Sequence, residues 1–241
     1  AIGESFPMMT DILIDEDALR RHIGAIVTHV SNDELTKRFS SGVCHPERSE
    51  GSLLNIGREI LRCAQNDKRG MTMPKVRVAD LTPDEAVRSA RLCAAVNSLV
   101  EEHRADGGTL NCHGTCLRNS EIGITACYSL GVQNAMGRPF TCTGDLPTAV
   151  AMLLLKKLTG VSMYTEVQVM DEKRRAIVIA NSGEGEDGIR RTGCKSLVRG
   201  NTNFAGVHGH GASFAYALQP GPATVVSFTP SPKSAQPFRL I

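Results

Sequence analysis

The chain has 241 residues, 27 Lys and Arg against 25 Asp and Glu, a formal net charge of +2 and a hydrophobic fraction of 41%. That length can bury an ordinary core as one large domain or two small ones. The near-balanced charge lacks the basic excess that tracking a phosphate backbone needs, so nucleic acid is not an expected partner. Trp is absent, and no apolar run approaches the roughly 18 residues that cross a bilayer, so no membrane role is expected. The opening Ala1-Ile2-Gly3-Glu4-Ser5 has neither a basic n-region nor an apolar h-region, which makes a cytoplasmic setting the expectation.

A first helix is expected over residues 15–30, where Leu19, Ile23, Ile26, Val27 and Val30 fall on one face. A second follows Thr82, because Thr82-Pro83-Asp84-Glu85 supplies an N-cap, a Pro at the first helical position and a Glu three residues after the cap. Ala86, Ala90, Cys93, Val96 and Val100 give it a buried stripe. Asp106-Gly107-Gly108 ends it, residues 109–112 read as a short strand, and His113-Gly114 opens a loop. Residues 122–136 suit a helix ending at Gly137, and 139–143 suit a strand. An amphipathic helix follows, capped by Asp145 and closed by Gly160.

This alternation predicts an α/β layer with a mainly parallel sheet through residue 160. The last third reads as β-rich: alternation over 163–169, an apolar strand over 176–180, and strands at 214–219 and 224–228 flanking a Pro-Gly-Pro turn. Residues 181–188 place Glu184, Glu186 and Asp187 among glycines; a solvated turn is expected there in preference to a calcium loop, since EF-hand spacing is missing. Residues 44–73 hold no sustained period and read as an insert. Its runs CHPERSEGS and AQNDKRG closely resemble the translated product of a dispersed repetitive element of bacterial genomes, which makes Cys44, His45 and Cys63 poor ligand candidates.

The eight cysteines are spread through a chain that needs no staples and are expected to be mostly reduced, with Cys93, Cys127 and Cys142 as small buried hydrophobes. Cys112 and Cys116 offer half of a metal site, but no second close Cys/His pair answers them at zinc-finger distances. In an open α/β sheet, ligands collect beyond the carboxyl ends of the strands, where His113, Glu121 and Asp145 fall. Two carboxylates and an imidazole are hard ligands suited to Mn²⁺ or Mg²⁺, and such an ion can chelate sugar oxygens and stabilise an enediolate. The plainer alternatives are Asp145 as an N-cap, Glu121 as a solvated first-turn carboxylate and His113 as a hydrogen-bonded loop residue. No G-x-S-x-G elbow occurs. His208 and His210, two apart on an extended segment, point to opposite faces and read as wall residues first and metal ligands second.

The run PFTCTGDLPTAVAMLLLKKLTG (139–160), Tyr164-Thr165-Glu166-Val167 through Asp171, AIVIANSGEGE (176–186) and ASFAYALQPGPATVVSFTP (212–230) resemble the L-fucose isomerase and L-arabinose isomerase group in content and order. The opening GESFPMMTDILIDEDALRRHIG resembles the start of that group's middle domain. The resemblance implies a metal-dependent aldose–ketose isomerase of sugars: a Rossmann-like unit over 1–138, carrying the insert, then an incomplete, antiparallel β-barrel-like unit over 139–241. It also implies Mn²⁺ held by a Glu, an Asp and a His, and a homo-oligomer, trimer or hexamer, of the complete protein. Asp145 matches the family aspartate by motif and Glu121 the glutamate by position. Both are then metal ligands and the acid and base that move a proton between C1 and C2, with His113, Asn181, His208 and His210 around the sugar. Two departures bear on this. Thr143-Gly144-Asp145 stands where related sequences read Glu-Gly-Asp or Glu-Asn-Asp, and the family's metal histidine lies in a segment beyond Ile241. The chain is therefore expected to be truncated and to show little activity alone. The competing expectations are an inactive remnant that retains the fold or an oligomer surface, and an unrelated α/β metalloprotein using Cys112, His113 and Cys116.

Overall fold

A computed structural model describes residues 1–3, 9–41, 77–112, 117–118, 120–181, 183–201, 211–231 and 237–241. The insert at 44–73 lies outside them, as do His113, Cys116, His208 and His210.

Helix α1 (Glu16–Ile23) is capped by Asp15, whose side chain accepts from the Ala18 N–H, and stops at Gly24 in the left-handed region. The expected helix to residue 30 is thus corrected: glycine closes it early, Ile26 is 81% exposed, and Val30 instead bridges Ile2 as extended backbone. Helix α2 (Asn32–Ser40) is capped by Ser31. After β1 (Arg77–Ala79), α3 (Pro83–Glu102) starts at the expected capping box: Thr82 accepts from the Glu85 N–H while Glu85 accepts from the Thr82 N–H. Strand β2 (Gly108–Leu110), helix α4 (Cys127–Ala135) and strand β3 (Phe140–Cys142) form a βαβ unit, since β2 and β3 pair in parallel from Gly108↔Phe140 to Leu110↔Cys142. Helix α4 is shorter than expected because Gly123, at φ 63°, breaks the run, although Ile122 and Ile124 remain in the core. Parallel bridges Ile2↔Leu110 and Ile2↔Val30 widen this layer by two extended segments. Helix α5 (Leu146–Thr159) ends at Gly160, as its sequence predicts.

The β-rich last third comprises β4 (Glu166–Asp171), β5 (Ala176–Ala180), β6 (Leu197–Gly200), β7 (Ala212–Ala215), β8 (Phe228–Pro230) and β9 (Phe238–Leu240). They make an antiparallel β4–β5 pair, an antiparallel β8–β9 pair and a mixed sheet of order β1-β6-β7. The chain is mixed α/β with small sheets, and no sheet closes into a barrel among the described residues. The strands expected at 214–219 and 224–228 about the Pro-Gly-Pro turn are corrected to β7 and β8, which pair with β6 and β9 and not with each other. Two prolines without N–H donors flank Gly221 at φ 155°, so no ladder continues through the turn.

Helix α3 holds the centre. Leu92, Val96, Leu99 and Val100 face Leu35 and Phe39 of α2 and the parallel pair, while Ala86, Ala90 and Cys93 face Tyr128 and Val132 of α4 with Val198 and Ala212. A smaller cluster joins Leu19 to Val150, Ala151 and Phe228. Strand pairs β1–β6 and β2–β3, and both large clusters, bridge the junction expected between residues 138 and 139.

Candidate functional site

The parallel pair delivers two loops beyond its carboxyl ends: Asn111-Cys112 after β2 and Thr143-Gly144-Asp145 after β3. Thr143 (φ 60°) and Gly144 (φ 80°) are both left-handed, which folds the chain back so that Asp145 starts α5. The turn is pinned by Asp145 N–H to Cys142 O at 3.1 Å and by the Thr141 hydroxyl to Asp145 O at 2.6 Å. One carboxylate oxygen of Asp145, Oδ1, accepts from the Thr148 N–H at 2.9 Å, so the plain N-cap reading is realised. The residue is buried. Burial raises its pKa above the usual carboxylate value; the Thr148 hydrogen bonds work against this, and the charges of Asp11 and Glu166 add to it.

Glu166 leads to a second group. The Tyr164 hydroxyl donates to Glu166 Oε1 at 2.8 Å, and burial, followed by this contact, drives the phenol far above its ordinary range. Asn181, at the exit of β5, gives its side-chain N–H to Tyr164 O at 2.9 Å and accepts from the Gly183 N–H at 2.6 Å. Both ends of its amide thus bind backbone, and the residue acts as a tie between β5 and the Tyr164 segment.

Glu121 stands elsewhere in character. It is exposed, in the turn before α4, and its peptide oxygen accepts from Arg88 at 2.9 Å, while Arg88 also pairs with Asp84 at 2.8 Å. The carboxylates acting on Asp145 are Asp11 and Glu166. The solvated-carboxylate alternative for Glu121 therefore describes its surroundings.

Behind the strand exits lies a buried thiol layer. Cys112 and Cys142 bring their Sγ atoms to 3.0 Å, and contact with Cys112 together with burial pushes the Cys142 thiol well up. Cys127 is raised by burial and by Glu184, to which its thiol points at 3.9 Å. Asn201 donates to Thr125 Oγ1 and to Cys127 Sγ, each at 3.2 Å. The expectation that Cys93, Cys127 and Cys142 are buried free cysteines holds.

The solvated turn expected at 181–188 is corrected. Glu184 is 0% and Glu186 3% exposed. The segment is laid against α4: Asn134 donates to Glu184 O at 3.0 Å, and Glu186 forms an ion pair with Lys156 of α5. A glycine in mid-helix, Gly131, admits it, since a Cβ there would lie 2.7 Å from Glu184 O. That glycine, with Gly183 and Gly185, was the available signal for close backbone approach. Tyr164, Glu166 and Asp11 gave no such signal, because only the fold brings them near Asp145.

Among the described residues, one set of three carboxylate, thiolate or imidazole ligand atoms gathers within 4.8 Å: Glu34, Glu102 and His103. It lies where α2 meets the end of α3, and Arg38 already pairs with both glutamates. No protein-family model matches the chain. No curated protein matches it significantly. Among the described residues, no helix is long and apolar enough to cross a membrane. What the Asp145 loop offers chemically is a buried carboxyl whose proton affinity burial raises, within electrostatic reach of Glu166 of the Tyr–Glu hydrogen-bonded pair.

Proposed function

We propose that the chain is an aldose–ketose isomerase-like protein whose reaction centre is the Asp145 loop. In this reading a Rossmann-like unit spans 1–138 and a barrel-like unit 139–241. The observation that carries it is Asp145 itself: a buried carboxylate with raised pKa at the carboxyl end of a parallel strand pair, on the motif that resembles the sugar isomerases. A base there takes the proton from C2 of an open-chain aldose and returns it to C1 through an enediol, and burial sharpens that role by weakening the competing hydration of the carboxylate. Glu166 and the oxygen of Tyr164, whose proton is given to Glu166, supply acceptors for sugar hydroxyls.

Mn²⁺ or Mg²⁺, with Asp145 and Glu121 as ligands, belongs to the same reading and would polarise the carbonyl. The described residues do not gather three ligand atoms at Asp145, so no proton step is assigned to an ion. The second reading, an inactive remnant that retains the fold, is favoured by Glu121, which is exposed and whose peptide oxygen is held by Arg88.

Metal binding and turnover on L-fucose, D-arabinose and L-arabinose test both. The expectation for this chain alone is weak Mn²⁺ binding that Asp145→Asn abolishes, with low turnover. Absence of Mn²⁺ binding at any concentration supports the remnant, and zinc bound through thiolates points to the Cys112–Cys116 alternative.

A further inference from the structure

The two strand exits of the parallel pair each carry a thiol. Cys142 is the last residue of β3, and Cys112 lies two residues past Leu110, which is opposite Cys142 in the register. Neighbouring strands run about 4.8 Å apart, and the two Sγ atoms meet across that gap at 3.0 Å. A disulfide bond is about 2.0 Å long, so each sulfur has about 0.5 Å to travel. The other described cysteines are placed differently: Cys93, Cys127 and Cys194 are free, and among the described residues none of them has a second thiol at hydrogen-bonding distance.

We propose that Cys112 and Cys142 are a reversible redox pair, which a hydroperoxide oxidises to an intrachain disulfide. Both residues are buried, Cys112 at 1% and Cys142 at 6% exposure. That keeps bulky thiol reagents away, whereas hydrogen peroxide is little larger than water. The hydrogen bond from Cys142 lowers the Cys112 thiol and so favours its thiolate, which is the attacking form. With hydrogen peroxide, Cys112 Sγ takes one oxygen: an S–O bond forms, the O–O bond breaks, and the departing hydroxide leaves as water with the thiol proton. Cys142 Sγ then attacks the sulfur of the Cys112 sulfenic acid. The S–S bond forms, the S–O bond breaks, and the hydroxide leaves with the Cys142 proton as a second water. The two thiols together lose two electrons and the peroxide gains them. Because the resolving thiol is already in contact, the sulfenic acid is consumed before a second peroxide can reach it. The bond joins positions 30 residues apart and ties the segment after β2 to the last residue before the Thr143-Gly144-Asp145 turn. The inference is independent of the isomerase reading.

Peptide mapping by mass spectrometry tests it with the full chain, which is reduced, treated with hydrogen peroxide while folded, then unfolded, alkylated and digested. The expected result is a peptide joining Cys112 to Cys142, the loss of both from the alkylated cysteines, and the return of both thiols with dithiothreitol. Cys142→Ser removes the resolving thiol, so Cys112 should accumulate as its sulfinic acid instead. Cys194→Ser, which removes the most exposed of the described thiols, should leave the link unchanged. The wild-type map is decisive by itself and needs no variant to fold. Recovery of Cys112 and Cys142 as thiols overturns the proposal, as does Cys112 joined to Cys116 or to any other cysteine, which would mean that the 3.0 Å contact does not choose the partner.

Discussion

Gly131→Ala is the sharpest probe of how the buried 183–186 segment is seated. Alanine at an exposed helical site would gain about 1 kcal/mol over glycine. Here the added Cβ would lie 2.5 Å from Cδ2 of Phe214 and 2.7 Å from Glu184 O. Neither neighbour can yield cheaply: Phe214 is stacked on Tyr128 with ring centroids 5.2 Å apart, and Glu184 O is the acceptor of the Asn134 side chain. Overpacking of this kind costs about 1–3 kcal/mol, so the net loss is about 0–2 kcal/mol after the helix gain. For a chain of this size each kcal/mol shifts Tm by about 2–4 °C, which gives a change between none and a fall of roughly 8 °C. Thermal unfolding followed by far-ultraviolet circular dichroism reads this directly. A rise in Tm of the size expected from helix propensity alone would refute the packing argument, because it would mean that nothing lies against α4 at that position.

Asp145→Asn retains the cap acceptor for the Thr148 N–H and removes a carboxylate that burial disfavours. Because the folded pKa is raised, the folded state holds the proton more tightly. The stability this contributes is complete below the ordinary value of 3.8 and is lost as pH rises through the folded value. The variant should therefore be as stable as the wild type or more so at neutral pH, and urea titrations at several pH values should show a flatter slope just above 3.8. Lys156→Ala should cost about 3 kcal/mol, since it leaves Glu186 buried without its cation. The double variant Lys156→Met, Glu186→Leu should recover most of that loss; a double variant as unstable as the single one would show that the ion pair is not the source. Cys93, which burial pushes up to about 12, should resist iodoacetamide in the native chain at mildly alkaline pH and react only on unfolding. Rapid native alkylation at Cys93, located by mass spectrometry, would remove it from the α3–α4 core.

Local chemistry made parts of this fold readable in advance. The Thr82–Glu85 box and the pairing of Asp145 with Gly160 each declare a helix end within a few residues, so α3 and α5 follow from neighbours along the chain. The end of α1 was written in Gly24, but the apolar periodicity running on to Val30 masked it; those later residues are apolar for other reasons, Val30 because it bridges Ile2. Strands β2 and β3 were readable from the turn residues that bound them, but β1 was not: three residues are too short to show a period, and its parallel partner β6 lies far away in sequence. At the site, Asp145 was legible because its cap geometry is local. Glu184 was not: its burial depends on Gly131, some fifty residues earlier, making room for it. The Tyr164–Glu166 pair likewise becomes chemically interesting only once α5 brings β3 and β4 into electrostatic reach.

The parallel layer orders its segments as Val30, Ile2, β2 and β3, so the second residue of the chain is an inner strand whose two neighbours are separated by some eighty positions. Such an arrangement has a kinetic price. The Ile2 segment cannot meet its second neighbour until residue 110 exists, and at about 5–20 residues per second a ribosome needs roughly 4–16 s to travel from position 30 to position 110. Through that interval α2 waits for α3 and the Ile2 segment for β2, while Leu19 of α1 waits longer still, for Val150, Ala151 and Phe228. Refolding from denaturant, which starts with all segments present, avoids the wait but still has to search for contacts of long sequence separation, placing it at the slow end of the range for chains with mixed structure. Newly made chains should accordingly be more dependent on chaperones than refolded ones.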